Sequence, residues 1–234
     1  MISVALGIAR YSHQSNCKLL DAFDANDLVA NYRQNLPTWL CRVTGELAFI
    51  EITSIYSDEQ CLSKDDVDLM NQCPTLKYLD LSGMMGLQVC SSHPLCVHEQ
   101  VRALILSGSD VDDLSLKQLI DACPNLLHLD IENCAQISCN GLSDVRQLES
   151  LETLSIDGKQ VSNELIPALS TLPNLKCITL VGPDASDVTL KMLIPLRGVK
   201  EIVILGTQVT QSGIKDFRSI RPETTVAYNH EQMH

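Results

Sequence analysis

Apolar residues recur in this chain as a six-residue phrase, filled at its first, fourth and sixth places. It reads Leu76-x-x-Leu79-x-Leu81, Leu126-x-x-Leu129-x-Ile131, Leu151-x-x-Leu154-x-Ile156 and Leu175-x-x-Ile178-x-Leu180. Looser copies are Leu47-x-x-Ile50-x-Ile52, Val101-x-x-Leu104-x-Leu106 and Val199-x-x-Ile202-x-Ile204. The first positions stand 29, 25, 25, 25, 24 and 24 residues apart, an interval that predicts a solenoid. The apolar pair at spacing two predicts a short strand with one face inward. Gly83, Gly108, Gly158, Gly182 and Gly206 follow, where the chain can turn sharply out of the strand. Next come Val111-Asp112, Ile137-Ser138, Val161-Ser162, Val188-Thr189 and Val209-Thr210, whose small polar residues suit helix N-caps. Apolar residues at helical spacing follow, such as Leu116, Leu119 and Ile120, and Pro74, Pro124 and Pro173 end the helices and force the return. Each unit is expected to run strand, turn, helix, return, with all strands parallel.

By these residues the chain resembles the leucine-rich repeat family. More narrowly it resembles the cysteine-containing repeats of F-box proteins, roughly Cys-x-x-Leu-x-x-Leu-x-Leu-x-x-Cys-x-x-Ile-Thr-x-x-Gly-Leu. Cys123, Leu126, Leu129, Ile131, Cys134, Ile137, Ser138, Gly141 and Leu142 fill that pattern, and Gly206 to Ile214 is a second good match. The resemblance implies an α/β leucine-rich repeat solenoid: a right-handed βα superhelix of horseshoe form, with a parallel concave sheet and helices on the convex side. One departure stands out. The family's Asn or Cys after the strand is replaced by Met84, Ser109, Lys159, Pro183 and Thr207, and only Cys134 keeps it. The buried side-chain ladder at that place is therefore expected to be weak or absent.

Residues 45–219 are read as about seven repeats. Residues 1–44 are read as an N-terminal cap or degenerate repeat, with a strand over Ile2–Leu6 and a helix over Asp27–Leu40 interrupted at Pro37. They do not read as an F-box: Leu36-Pro37 is present without the long apolar pattern expected after it. Residues 220–234 are read as a closing edge strand over Thr224–Tyr228 and a tail.

A net charge of −12 opposes a nucleic-acid surface, which needs a basic face to displace counterions. It favours solubility and basic partners. Aromatics are only 4%, so thin aliphatic layers should fill the interior. Met1 to Ala22 lacks the pattern of a signal peptide, and no apolar run is long enough to span a membrane. The ten cysteines are then expected to be reduced thiols that pack as small hydrophobes in a cytoplasmic compartment. A monomer without membrane contact is expected.

Cys90-Ser-Ser-His93-Pro-Leu-Cys96-Val-His98 has metal-like spacing. His98 falls on the recurring cysteine position, however, and Pro94 splits the rest. Ordinary packing is the preferred reading, and no metal or cofactor is expected. No nucleophile elbow or phosphate loop occurs, and an enzyme is not expected. Strand side chains alternate, so the residues between the core leucines should face outward on the sheet. The candidate partner-binding residues are Phe49, Glu51, Tyr78, Asp80, Ile105, His128, Asp130, Glu132, Asp157, Val181, Val203 and Leu205. They grade from an acidic stretch to an apolar end. Stacked acids repel one another and exposed aliphatics are costly, so the face suits a protein partner, possessing a basic segment. The leading expectation is a non-catalytic protein-interaction module. The alternatives are a substrate-recognition subunit of a ubiquitin ligase or an assembly factor acting through residues 1–44, and a pathogen effector mimicking a host repeat protein.

Overall fold

A computed structural model describes residues 61–228 except 63, 74, 89–91 and 96–97, together with the backbones of two preceding strands, 28–34 and 50–57. Among the described residues nine strands form one sheet in chain order: β1 Leu28–Gln34, β2 Ile50–Ser57, β3 Tyr78–Asp80, β4 Ala103–Ile105, β5 His128–Asp130, β6 Thr153–Asp157, β7 Cys177–Val181, β8 Glu201–Leu205 and β9 Thr225–Tyr228. From β2 onward every neighbour is parallel. The connections carry helices α1 Lys64–Met70, α2 Asp113–Ala122, α3 Leu165–Ser170, α4 Asp187–Met192 and α5 Gln211–Ile220. After β5 a 3-10 helix, Gly141–Gln147, takes the helix's place. Gly141, Ser143 and Asp144 there are weak α-helix formers.

The strand register explains the period. Leu79, Leu104, Leu129, Leu154, Ile178, Ile202 and Val226 stack as direct partners along the sheet, each 2% exposed or less. Leu81, Leu106, Ile131, Ile156, Leu180 and Ile204 form a second buried row. The helices close over these rows with Leu116, Leu119 and Ile120 of α2, Leu165 and Leu169 of α3, and Ile214 and Phe217 of α5, in one continuous core. Each unit buries its apolar stripe only against its neighbours.

Three expectations are corrected. The first concerns the opening copy of the repeat. β2 meets β3 with Ser54 opposite Tyr78, Ile55 opposite Leu79 and Tyr56 opposite Asp80. Ile55, not Ile50, thus holds the leucine position, 24 residues before Leu79, and the irregular interval of 29 disappears. Ile50-Glu-Ile-Thr-Ser-Ile-Tyr-Ser offers two apolar frames. The bridge of Cys61 to Met85, with Leu62 N–H donating to the Met85 carbonyl at 2.8 Å, holds the following turn in step with the next unit. The second correction is that Leu28–Gln34, expected to be helical, is strand β1, antiparallel to β2 with an irregularity between Asn31 and Tyr32. Backbone partners on the edge of β2 override local helix preference. The expected strand at Ile2–Leu6 lies outside the described residues.

The third correction is at α4. Ser186 caps it, in a capping box with Thr189. The apolar position before the cap is the fully buried Ala185, and Val188 is 69% exposed. A small apolar residue beside a bulky one had disguised the frame. Two expected caps hold: Asp112 Oδ1 accepts from Ser115 N–H at 2.8 Å and Thr210 Oγ1 from Gly213 N–H at 3.0 Å. Asn140 and Glu164, not Ser138 and Ser162, stand at the N-cap positions of the 3-10 helix and α3, although the serine hydroxyls still accept Gly141 and Leu165 N–H, both at 3.3 Å.

Candidate functional site

The face opposite the core carries three rows that run across the strands. The middle row is Tyr56, Asp80, Ile105, Asp130, Ser155, Thr179, Val203 and Ala227, one residue per strand from β2 to β9. Beside it runs Tyr78, Ala103, His128, Thr153, Cys177, Glu201 and Thr225. On the other side Asp157, Val181 and Leu205 are direct partners, and Glu132 precedes them two residues past the end of β5. His128 and Glu201 are exposed, Leu205 is 39% exposed, and most others are half-buried. Glu51 lies opposite Arg33 of β1, three residues before the partner of Tyr78. Phe49 lies outside the described residues. Ser54 and Tyr56 occupy the places that the shifted frame had given to Phe49 and Glu51.

The acids are differentiated by their surroundings. Asp80 and Asp130 each turn Oδ1 back to the backbone N–H two residues on, at Ser82 and Glu132, both at 3.0 Å. Asp130 is raised above the ordinary aspartate range by burial and by the charges of Asp80 and Asp157, against the pull of the Glu132 N–H. Glu132 is pushed up to about 7 by burial and by Asp130 and Asp157, with Ser155 opposing. Asp157 departs from the expectation of a free anchor: it is only 6% exposed. It accepts the Asn133 N–H at 2.9 Å, caps the 3-10 turn Gly158–Gln160 and pairs with Lys159 at 3.4 Å. Asn133 needs that support, because it adopts φ +57° where Gly83, Gly108, Gly182 and Gly206 hold the same turn.

The expected weakness of the buried ladder is found, with one short piece intact. Cys134 Sγ–H donates to the Leu106 carbonyl at 3.0 Å and lies 3.8 Å from Ser109 Oγ. Carboxylates link the units instead. Asp113 receives Ser138 N–H and Oγ–H at 2.8 and 2.6 Å, and Asp187 receives those of Thr210 at 2.7 and 2.8 Å. Asp110 receives Gly86 and Leu87 N–H at 2.8 and 3.1 Å. On the opposite edge Asn125 and Asn174 donate to the Glu99 and Glu149 carbonyls of the preceding unit.

His98 is buried, as its place in the repeat implies, and burial lowers its pKa. Cys90 and Cys96 lie outside the described residues. Among the described residues no group of three or more potential ligands could hold a metal, and no helix is long and apolar enough to cross a membrane. Burial pushes the Cys73 and Cys123 thiols up to about 12, so they pack as apolar residues.

Sequence reasoning missed Arg221, which is fully buried. Nη1 donates to the Ile194 and Leu196 carbonyls, Nη2 to Val199 O and Thr224 Oγ1, and Nε to Glu223. One guanidinium thus satisfies three carbonyls of the preceding unit and ties them to β9. Little in the sequence signalled it, because Arg221 opens a polar return, Arg-Pro-Glu-Thr, in which an exposed arginine would be ordinary.

No family model matches the chain. A protein described as an F-box/LRR-repeat protein of Arabidopsis thaliana (number 21) is 26% identical over 123 residues, covering 44% of this chain and 40% of the plant protein. A structure of a leucine-rich repeat protein from Leptospira interrogans aligns with a TM-score of 0.42 at 14% identity, over 75% of this chain and 48% of that one. The chain spans less than half the length of either. The repeat phrase and the parallel ladder built on it give this chain a leucine-rich repeat fold, and its partial similarity to the plant protein agrees with that.

Proposed function

We propose that the chain is a non-catalytic interaction module that binds a protein partner across its concave sheet. The observation that carries this reading is the graded exposed face: Asp80, Asp130 and Glu132 lead to Val181, Val203 and Leu205 on one continuous ladder. Raised carboxylates and half-exposed aliphatics are both costs that a complementary partner would relieve. The strands are already fixed by their neighbours, so little ordering entropy is lost on binding. The test is affinity capture with the wild-type chain and a Tyr78→Ala/Asp130→Lys variant. The variant should lose the partners; recovery of the same set with both would place binding elsewhere.

A second reading, substrate recognition within a ubiquitin ligase or an assembly factor, is favoured by the name of the plant relative. It would act through residues 1–44. Deleting them should then remove a ligase adaptor from the captured set and leave the concave-face partners in place.

A further inference from the structure

We infer that the concave face takes an extended partner segment that crosses the strands and carries a Lys or Arg four residues from an aliphatic residue. This deepens the reading above and rests on it. Three observations fix the occupant. First, the unburied acids of the middle row and the row beside Val181 and Leu205 are Asp80 of β3, tied to Ser82, and Asp130 with Glu132 just past β5, the pair nearer the aliphatics; Asp157 of β6 is buried and engaged by Asn133 and Lys159, and Glu201 of β8 stands in the other flanking row. Second, the aliphatic part lies on β7 and β8, at Val181, Val203 and Leu205. Third, Ser155 and Thr179 separate the two on the middle row and carry no charge.

The spacing follows from the ladder. Asp130 and Val203 are three strands apart on one row, or about 14 Å at the usual inter-strand distance. An extended segment rises about 3.3 Å per residue and repeats its face every second residue. Residues i and i+4 therefore point to the same side about 13 Å apart, a close fit. A helix rises about 1.5 Å per residue, so positions that share a face fall at about 10 or 16 Å and miss one end or the other. Charge complementarity sets which end meets which: the cation sits on β5 and the aliphatic side chain on β8.

The test uses a phage library of random 12-residue peptides selected on the immobilised chain. Enriched peptides should place Lys or Arg four residues from Leu, Ile, Val or Phe. Synthetic copies should lose about ten-fold in affinity, one good contact, for Asp130→Asn/Glu132→Gln and again for Val203→Thr/Leu205→Thr. Both variants must stay folded, with melting temperatures no lower than that of the wild type. Enriched peptides that lack the spacing yet lose affinity for both variants would overturn this inference and leave the concave face standing. Peptides that bind all forms equally would remove the face itself. Failure to enrich any sequence overturns the inference, and partner capture then judges the face alone.

Discussion

Single residues here carry outsized roles where the repeat departs from its own rule. Arg221 is the largest case. A guanidinium without access to water must have its donors met, and here two nitrogens reach three carbonyls of the α4–β8 return. Arg221→Ala takes the Arg221 donor from the Ile194 carbonyl, leaves the Leu196 and Val199 carbonyls with Val199 N–H and Thr224 Oγ1 alone, and empties the space of a buried side chain; the expected loss is about 3 kcal/mol. Urea unfolding should show it as a lower midpoint with an unchanged slope; a midpoint within error of wild type would refute the role. Glu132 acts in the opposite direction. Its folded pKa of about 7 lies above the ordinary 4.5, so between those values the folded state holds more protons than the unfolded chain. Stability then falls as pH rises from 4.5 through 7, and the loss is complete above that range. Glu132→Gln should flatten this part of the pH–stability profile and raise the melting temperature at pH 8. A profile unchanged by the substitution would show that burial and the charges of Asp130 and Asp157 do not hold Glu132 protonated.

At the scale of elements, carboxylates join the units, Asp113 and Asp187 reaching forward and Asp110 and Asp157 back. Asp187 at the start of α4 receives both donors of Thr210, the cap of α5. A Cβ added to Gly213 would lie 2.0 Å from Asp187 Oδ1, and one added to Gly141 equally close to Asp113. The glycine of the repeat pattern is thus the space into which the previous unit's aspartate fits. Gly213→Ala should cost about 1–3 kcal/mol by overpacking, and much less in an Asp187→Ala background. A thermodynamic cycle of the two substitutions measures the coupling; simple additivity would sink the account. Asp112 and Thr210 were legible as caps because each follows a bulky buried valine and precedes an amphipathic run. Ser186 was not, since its buried neighbour is the small Ala185 while the larger Val188 points outward. Likewise β2 holds two apolar frames, and only pairing with β3 selects between them.

Across the whole molecule the ladder from β3 to β8 was legible in the period of 24 or 25 residues, because a parallel stack demands one leucine layer per unit. The edges were less legible. Edge strand β1 depends on a partner strand that local pattern cannot announce, and the end of the stack depends on Arg221, which belongs to no repeat position. The outward rows were legible as positions, yet the engagement of Asp157 was not, because Asn133, which it supports, belongs to the neighbouring unit. Such a stack has stability that is roughly a sum of unit and nearest-neighbour terms, so damage should stay local. Arg221→Ala removes the tie between the β8 return and β9, while β3–β5 share no contact with it. Amide exchange should therefore accelerate in α5, β9 and β8 and remain at wild-type rates in β4 and β5, at a urea concentration well below the unfolding midpoint. Val226, the last residue of the buried leucine row, should lose its protection first. Uniform acceleration along the whole ladder would instead mean that the units unfold as one body, and that Arg221 sustains the entire stack.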